Sequence, residues 1–415
     1  MQRLLAQLSE DVHSDDFLQR ARHPEHPTAF TRTRKLPLPA LVAALLSMRG
    51  QSQQVSLDSF FASLCDTSLL HRGVSDRAFA KARSQLHMPA LQWLNEGLVR
   101  RADACGLVPR WHGLRVVAGD GSVLMPAVRA SLRVRCAASA DQRLFALFLP
   151  GAELTLHAEV YSAEGSERQV LVESLDRLQP GDLLVLDRGY PAAWLVSLLN
   201  QRGIHWCMRC DNDSGWLVQR EFRRSNQDEA WVTLGAPSAE DARIWECPRL
   251  PQRVRLIRQV SPAGAIRVLA TNLDSQAFAC TTFADLYHQR WRIEEAFKRL
   301  KHRLHLECVS GLSQHALIID VAAKILADNL SSLMCAAARA RSETATTSRR
   351  CKRSYAATAM QRALPRLLLA VGDFFATFNE LINGLAANTQ RFLPGRSGPR
   401  PATDFKPHPS AVYKG

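Results

Sequence analysis

The sequence lacks a hydrophobic run long enough to cross a lipid bilayer. Its longest apolar segments, Leu38 to Met48 and Leu364 to Val371, fall short of the roughly 20 residues that a membrane-spanning helix needs. Met1 to Gln19 is interrupted throughout by polar and acidic residues, so it lacks the apolar core of a secretory signal. We therefore expect a cytoplasmic protein with no membrane partner.

Two further motifs are missing. No Gly-x-x-x-x-Gly-Lys-Ser/Thr sequence occurs, which disfavours a P-loop motor. The 10 cysteines lack the spacing of a disulfide framework, and inside a cell most of them should be reduced and buried. Cys207 and Cys210 form the only pair at a zinc-like spacing. Without a second pair, we assign no zinc to them.

Acidic residues are scarce relative to basic ones. The chain has 53 Lys and Arg against 39 Asp and Glu, which gives a net charge of +14. This excess suits a polyanionic partner and makes phosphate neutralisation the expected main source of affinity. A ribosome-associated or membrane-surface protein would have a similar balance, but DNA is the simplest such partner.

The segment from Tyr287 to Lys301 is the most informative part of the chain. At about 100° per residue on a helix, Tyr287, Arg290, Glu294 and Lys301 share an arc of about 60°. Glu295 points about 100° away, so Glu294 is the carboxylate placed among the cations. An apolar flank adjoins this stripe and consists of Leu286, Ile293, Phe297, Leu300 and Leu304. The pattern favours a phosphate-handling site over an ordinary solvated helix.

Two aspartates follow predicted strands. The apolar stretch from Leu114 runs into Asp120-Gly, and the apolar run from Asp182 ends in Asp187 before Gly189. We therefore predict that each aspartate lies at a strand end, where open α/β sheets gather their ligands. Two such oxygen ligands and a third on a helix can hold a pair of Mg²⁺ ions that act on phosphodiesters.

These residues resemble the DDE transposases of bacterial insertion sequences, in particular the insertion-sequence family 4 group with its Tyr-Arg-Glu-Lys signature. Tyr287, Arg290, Glu294 and Lys301 match that signature in register. The segments 120–122, Asp-Gly-Ser, and 187–190, Asp-Arg-Gly-Tyr, match the two upstream motifs. A softer match, residues 75–83, resembles the helical element that precedes the catalytic domain in this group.

The resemblance implies an α/β fold with an RNase H-like core and a function in DNA transposition. The implied catalytic residues and metal ligands are Asp120, Asp187 and Glu294. The implied contacts to DNA phosphates are Tyr287, Arg290, Lys301, Arg188 and Tyr190. The implied cofactor is a pair of Mg²⁺ ions, for which Mn²⁺ can substitute. The implied partners are terminal inverted repeats and target DNA, bound by a homodimer in a bacterial cytoplasm, at the nucleoid.

One position departs from the family pattern. Members with this signature commonly release transposon ends through a hairpin intermediate, which requires a base to be extruded and held. Some relatives supply a Trp as an aromatic clamp from the strand just before the signature helix, where this chain has Ile266-Arg-Val-Leu269. Trp231 or Trp245 could take that place, but we expect both to pack within strands.

The pattern along the chain predicts three regions. Residues 1–104 are predicted to form a helical DNA-binding region in which Arg77 and Lys81 either meet phosphates or are solvated. Residues 110–335 form the catalytic domain, with a β-rich insertion at about 211–265 that includes strands at 231–234, 243–246 and 254–260. Residues 336–415 are predicted to hold a basic linker (338–355), C-terminal helices and a disordered tail.

Two other functions remain open. An RNase H-like nuclease or resolvase would cut DNA without strand transfer, and the sequence does not separate it strongly from a transposase. A DNA-binding regulator descended from a transposase would be expected to have lost a carboxylate, whereas this chain keeps Asp120, Asp187 and Glu294.

Overall fold

The protein is described here by a computed structural model. It describes residues 1–32, 34–50, 52–65, 69–124, 142–210, 216–260, 264–341 and 349–391. In chain order the helices are α1 (Gln2–His13), α2 (Asp15–Ala21), α3 (Leu38–Ser47), α4 (Gln53–Cys65), α5 (Asp76–Ser84), α6 (Met88–Ala104), α7 (Glu167–Ser174), α8 (Ala193–Gln201), α9 (Leu217–Arg224), α10 (Ala239–Ile244), α11 (Phe283–His302), α12 (Gln314–Arg341), α13 (Arg353–Leu368) and α14 (Phe374–Ala387). The strands are β1 (Arg115–Leu124), β2 (Gln142–Leu149), β3 (Leu154–Ser162), β4 (Asp182–Leu186), β5 (His205–Cys210), β6 (Glu229–Leu234), β7 (Gln252–Val260), β8 (Ile266–Thr271), β9 (Arg349–Cys351) and β10 (Thr389–Arg391).

The chain divides into two compact units. The helical unit comprises Met1–Cys105, Val123–Arg143 and Phe297–Gly415, and the sheet unit comprises Gly106–Ser122 and Leu144–Ala296. The first and third predicted regions therefore contribute to the same unit. The division into three functional regions stays a prediction.

An eight-stranded sheet has the order β3-β2-β1-β4-β5-β8-β7-β6. β4 runs parallel to β1 and β5, whereas β8 is antiparallel to β5. The order of the first five strands, 3-2-1-4-5, is that of the RNase H-like fold. The predicted fold class, mixed α/β with an RNase H-like core, is confirmed.

The register between β1 and β4 brings the two predicted aspartates to the same level of the sheet. Ala118 pairs with Val185, so Asp120 and Asp187 each lie two residues further along neighbouring parallel strands. β4 ends immediately before Asp187, as predicted. The prediction that Asp120 ends its strand is wrong, because Gly121 and Ser122 stay extended and β1 continues to Leu124.

The first turns of helix α11 pack against the sheet. Phe283, Leu286 and Tyr287 share a buried cluster with residues of β1, β4, β5, β7 and β8. The predicted apolar side chains Leu286, Ile293, Phe297, Leu300 and Leu304 are all buried, whereas Glu295 is exposed. The predicted orientation of the helix is confirmed, and it leaves Glu294 on the stripe that adjoins this flank.

The region between β5 and β8 differs in part from the prediction. β6 and β7 are antiparallel, as predicted, and they extend the central sheet beyond β8. The predicted strand at 243–246 is wrong, because residues Ala239–Ile244 form α10 and a second helix, α9, precedes β6. Ser238 accepts a hydrogen bond from the Asp241 amide at 3.0 Å, and this N-cap with Glu240 and Asp241 in the first turn favours the helix.

The helical unit is built around α12. This helix extends from Gln314 to Arg341 and is buried on nearly every side between Ala316 and Cys335. Its polar side chains have partners inside the unit: Asn329 donates to Asn95 at 2.7 Å, and Asp328 accepts from Arg299 at 3.0 Å. Such pairing makes the burial of polar groups tolerable.

The predicted basic linker is largely structured where the structure describes it. α12 continues to Arg341, and β9 pairs with β10 in an antiparallel ladder before α13 begins at Arg353. The linker prediction is wrong for these residues, since they continue a helix or pair as strands. Its central part, 342–348, and most of the predicted tail, 392–415, lie outside the described residues.

Every helix among the described residues is too short or too polar to span a bilayer.

Cys207 and Cys210 both lie in β5, where side chains three residues apart point to opposite faces. Burial raises the pKa of the Cys207 thiol and raises the pKa of Cys210 to about 12. Both thiols are buried and pack as small apolar side chains.

Candidate active site

The guanidinium of Arg290 joins two of the predicted carboxylates. It donates to Asp120 Oδ2 at 3.1 Å and to Glu294 Oε1 at 2.9 Å. Arg290 is on α11 one turn before Glu294, and Asp120 is on β1. The side chain of Arg290 is only 8% exposed, so these ion pairs are largely shielded from water. The structure therefore brings a strand aspartate and a helix glutamate to the same cation.

Asp187 belongs to the same group of charges. It is close enough to raise the pKa of Asp120 and of Arg290. Its carboxylate Oδ1 accepts a hydrogen bond from the Gly189 amide at 2.7 Å, which fixes the turn that follows β4. The structure thus gathers Asp120, Asp187 and Glu294 around Arg290 within the sheet unit.

Asp120 is held in an environment that disfavours its charge. Burial raises its pKa to about 7; Arg290 and the Gly121 amide oppose this shift, whereas Asp187 and Glu167 add to it. The ion pair with Arg290 therefore offsets only part of the cost of burial. A carboxyl with this pKa is half protonated near neutral pH.

The pKa of Asp120 leads to a stability prediction. Because the folded protein keeps this proton up to about pH 7 and the unfolded chain loses it near 3.8, the free energy of unfolding should fall as pH rises through that window. Asp120→Asn cannot titrate. We expect the variant to gain stability relative to wild type between pH 4 and pH 8, by up to about 4 kcal/mol at 1.36 kcal/mol per pKa unit.

Urea denaturation at a series of pH values measures this difference. Asp176→Asn is the matched control, because the Asp176 side chain is 85% exposed. A difference between Asp120→Asn and wild type that stays constant with pH, or changes in the opposite direction, would contradict the assignment.

A fourth carboxylate, Glu167, also faces this group. It raises the pKa of Asp120 and accepts a hydrogen bond from the Tyr190 hydroxyl. Tyr190 was predicted to contact DNA phosphates, but it is only 2% exposed and the structure gives its hydroxyl this internal partner. The sequence pattern did not single out Glu167, because it is a polar residue at the start of a helix and belongs to no motif.

Arginines from the sheet extend the site beside Tyr287. The guanidinium carbon of Arg267 lies 5.5 Å from the centre of the Tyr287 ring, and that of Arg290 lies 5.8 Å from it. Burial lowers the pKa of Arg267, and the charges of Arg209 and Arg290 lower it further. Burial raises the pKa of Tyr287 to about 12, so the phenol stays protonated. Arg209 and Arg267 were not predicted, although their alternation with apolar residues in β5 and β8 was available as a signal.

Two further residues predicted to contact phosphate are Arg188 and Lys301. Arg188 is exposed on the turn after β4. Lys301 is on α11 but falls in the helical unit, where its ammonium donates to the Val123 carbonyl and lies 3.8 Å from Glu307. The described geometry does not test their predicted contacts with phosphate.

The donor set suits a hard divalent cation. Asp120, Asp187 and Glu294 supply the carboxylate oxygens that Mg²⁺ prefers, and a cation would offset the burial and repulsion that raise the pKa of Asp120. Among the described residues, however, no three His, Cys, Asp or Glu side chains are arranged to hold an ion. Arg290 lies between two of the carboxylates instead. The metal-ligand roles stay predictions.

Trp231 and Trp245, which could replace the Trp that some relatives use to hold an extruded base, both contact other side chains. Trp245 stacks on Trp194 with ring centroids 4.0 Å apart and an interplanar angle of 4°. The Arg253 guanidinium carbon lies 4.8 Å from the centre of the Trp231 ring. The expectation of packing within a strand is confirmed for Trp231, which lies in β6, and is wrong for Trp245, which follows helix α10.

One family model and one solved structure are similar to this chain. Residues 135–330 match the family model described as "Transposase DDE domain". The match includes Asp187 and Glu294 and begins after Asp120. A solved structure, the piggyBac transposase synaptic complex with hairpin DNA, aligns with 95% of this chain and 87% of its own chain, at a TM-score of 0.49 and 10% identity. No curated protein matches the chain significantly.

Proposed function

We propose that this protein is a DNA transposase of the DDE type, which cleaves the ends of an insertion sequence and joins them to target DNA. The observation that carries the proposal is the group of Asp120, Asp187 and Glu294 around Arg290, built on an RNase H-like strand order. The similarity of residues 135–330 to a transposase DDE domain supports it independently.

The carboxylates are proposed to hold the catalytic cations. Asp120 and Asp187 approach from neighbouring strands and Glu294 from α11. When bound, Mg²⁺ would supply an activated oxygen nucleophile and stabilise the oxygen that leaves the phosphodiester. The protein's own contribution is to position these carboxylates and to limit the access of water to them, since Asp120 is 15% and Glu294 28% exposed.

Arg290 is proposed to exchange partners when DNA binds. In the structure its guanidinium neutralises Asp120 and Glu294. A phosphate offers the same planar group a bidentate, charge-assisted partner. Tyr287, Arg209 and Arg267 lie beside it and are proposed to bind the flanking phosphates, with Lys301 further along α11.

The helical unit is proposed to bind the transposon ends. A cavity of about 910 Å³ lies between residues 25–32 and 34–37 on one side and α5 on the other. Four cations line it, against a single acid, Glu25; this basic groove consists of Arg32, Arg34, Lys35 and Lys81. Of the two α5 residues predicted either to meet phosphates or to be solvated, Lys81 lines the groove, whereas Arg77 is exposed and does not line it. Its charge complements a DNA backbone.

The basic groove gives a prediction about salt dependence. Arg34→Gln combined with Lys81→Gln should weaken binding of end DNA and make the slope of log K against log salt concentration shallower by about 2, one for each lost phosphate contact. Fluorescence anisotropy from 50 to 300 mM salt measures it. Arg3→Gln with Arg20→Gln removes the same charge from α1 and α2 and serves as the control. An equal change in both double variants would rule out the groove.

The proposed function is tested with DNA that carries the inverted repeats flanking this gene. Purified protein and Mg²⁺ should nick that DNA at the repeat ends and join it to a target plasmid. Cleavage without joining would replace the transposase with a nuclease or resolvase. Binding with neither reaction would favour the DNA-binding regulator. We further propose that the active species is a homodimer that bridges two ends, which crosslinking in the presence of end DNA would detect.

A further inference from the structure

We propose that Glu167 is a positioning residue of this active centre: through Tyr190 it holds the turn that carries Asp187. The turn, residues 187–190, is called the Asp187 loop below. The expected effect on the reaction rests on the proposed function. The contacts that support the positioning role lie within the protein and do not depend on DNA.

Tyr190 anchors one end of the Asp187 loop. Its ring is only 2% exposed, and its hydroxyl donates to the Glu167 carboxylate. Within the loop, the Gly189 amide donates to Asp187 Oδ1 at 2.7 Å, so the catalytic carboxylate is oriented by the loop backbone. A displacement of Tyr190 would therefore move the donor that orients Asp187.

Helix α7 contacts the loop through two consecutive residues. Next to Glu167, Arg168 donates from Nε and from its terminal nitrogen to the Gly189 carbonyl, at 2.9 and 2.7 Å. The first turn of α7 thus fixes a side chain and a backbone carbonyl of the same loop. Because both contacts come from one rigid element, they restrict the loop more than two separate contacts would.

Glu167 also contacts the strand that carries Asp120. Its carboxylate lies over Gly121, where an added Cβ would stand 2.8 Å from the Glu167 carboxyl carbon. Any larger residue at 121 would push this carboxylate aside. Glu167 therefore lies between the Asp120 motif and the Asp187 loop, and it fixes the position of one relative to the other.

The expected consequence is on the rate of the reaction and not on DNA binding. Partners that orient metal-binding carboxylates typically contribute 10- to 100-fold in activity, and a misplacement of about 1 Å alone can cost 100-fold. Removing the acceptor also leaves the buried Tyr190 hydroxyl without its partner, which favours rearrangement of the loop.

The test compares Glu167→Ala, Glu167→Gln and Tyr190→Phe, with Glu173→Gln as the control. Glu173 is exposed on the same helix and contacts Gln169. We expect about 10- to 100-fold slower single-turnover nicking for Glu167→Ala and for Tyr190→Phe, with unchanged affinity for end DNA. The variant that combines Glu167→Ala with Tyr190→Phe should be no slower than either single variant, because both substitutions remove the same contact. Glu167→Gln should recover most of the rate, because its amide oxygen still accepts from Tyr190.

Amide hydrogen exchange gives a second readout that needs no activity. Exchange in the Asp187 loop should be faster in Glu167→Ala and Tyr190→Phe than in wild type, and close to wild type in Glu167→Gln and Glu173→Gln. Circular dichroism confirms that each variant is folded.

The outcomes separate the two proposals. If Glu167→Gln is as slow as Glu167→Ala while Tyr190→Phe keeps its rate, the charge matters and positioning through Tyr190 is overturned. Unchanged exchange in Glu167→Ala and Tyr190→Phe also overturns it. If wild type performs no DNA chemistry, the proposed function fails, whereas the exchange measurements still decide whether Glu167 holds the loop.

Discussion

Replacing Glu294 with glutamine is expected to slow DNA cleavage and joining by about 1,000-fold or more, with little change in affinity for end DNA. Glutamine keeps the shape of the side chain, and its carbonyl still accepts from Arg290, which now donates to Glu294 at 2.9 Å. It lacks the negative charge that a catalytic cation needs. A loss of several kcal/mol of transition-state stabilisation is typical of such sites, and about 4 kcal/mol corresponds to 1,000-fold.

Glu295 provides the control for this variant. It is the adjacent residue on α11 and is exposed, so Glu295→Gln removes the same charge from the same helix without touching Arg290. Single-turnover strand transfer and anisotropy with end DNA measure rate and binding separately. A Glu294→Gln protein that joins DNA at the wild-type rate would refute the assignment of Glu294, and an equal loss in both variants would indicate a general effect of charge.

The second large effect is expected at the start of β1. Arg115 and Asp182 form a bidentate pair at 2.6 and 2.7 Å, and their side chains are 4% and 2% exposed. Arg115→Met would leave Asp182 buried and unpaired with any cation, so it should lower the free energy of unfolding by about 3–5 kcal/mol. Combining it with Asp182→Leu should restore much of that loss, because a buried ion pair contributes little beyond an apolar pair of similar size.

Chemical denaturation followed by tryptophan fluorescence suits this test. Of the eight tryptophans, only Trp93 lies outside the sheet unit that contains the pair. Arg202→Met is the control, because the Arg202–Asp176 pair at 2.8 Å is exposed and should contribute less than about 1 kcal/mol. The interpretation would be wrong if Arg115→Met were as mild as the control, or if the double variant were no more stable than the single one.

Periodicity was sufficient to predict the elements that carry the site. The stripe on α11 and the apolar run of β4 placed Glu294 and Asp187 correctly, since burial of one helix face and of both strand faces leaves clear patterns. The end of β1 was not predictable in the same way. Asp-Gly is a turn signal in isolation, but here the strand continues through Gly121 to Leu124, and pairing with neighbouring strands leaves no local signal in the sequence.

Contacts between distant residues could not be read from the sequence. Glu167 meets Tyr190 across 23 positions, and Arg290 meets Asp120 across 170. Neither pair has a spacing that any local period encodes. Likewise, Arg209 and Arg267 become neighbours of Tyr287 only because β5 and β8 pair antiparallel under α11. Helix α10 was missed because a six-residue element offers too few positions to show a period.

The Arg115–Asp182 pair has a consequence for how β1 and β4 align. These residues face each other at one end of the ladder, and Asp120 and Asp187 leave it at the other. A shift of one residue would separate the two opposite charges in a dry interior, and it would also turn the second aspartate to the opposite side of the sheet from the first. The ion pair thus favours the observed alignment of β1 and β4. A misaligned ladder that separated Asp120 from Asp187 would also leave the buried charges of Arg115 and Asp182 unpaired.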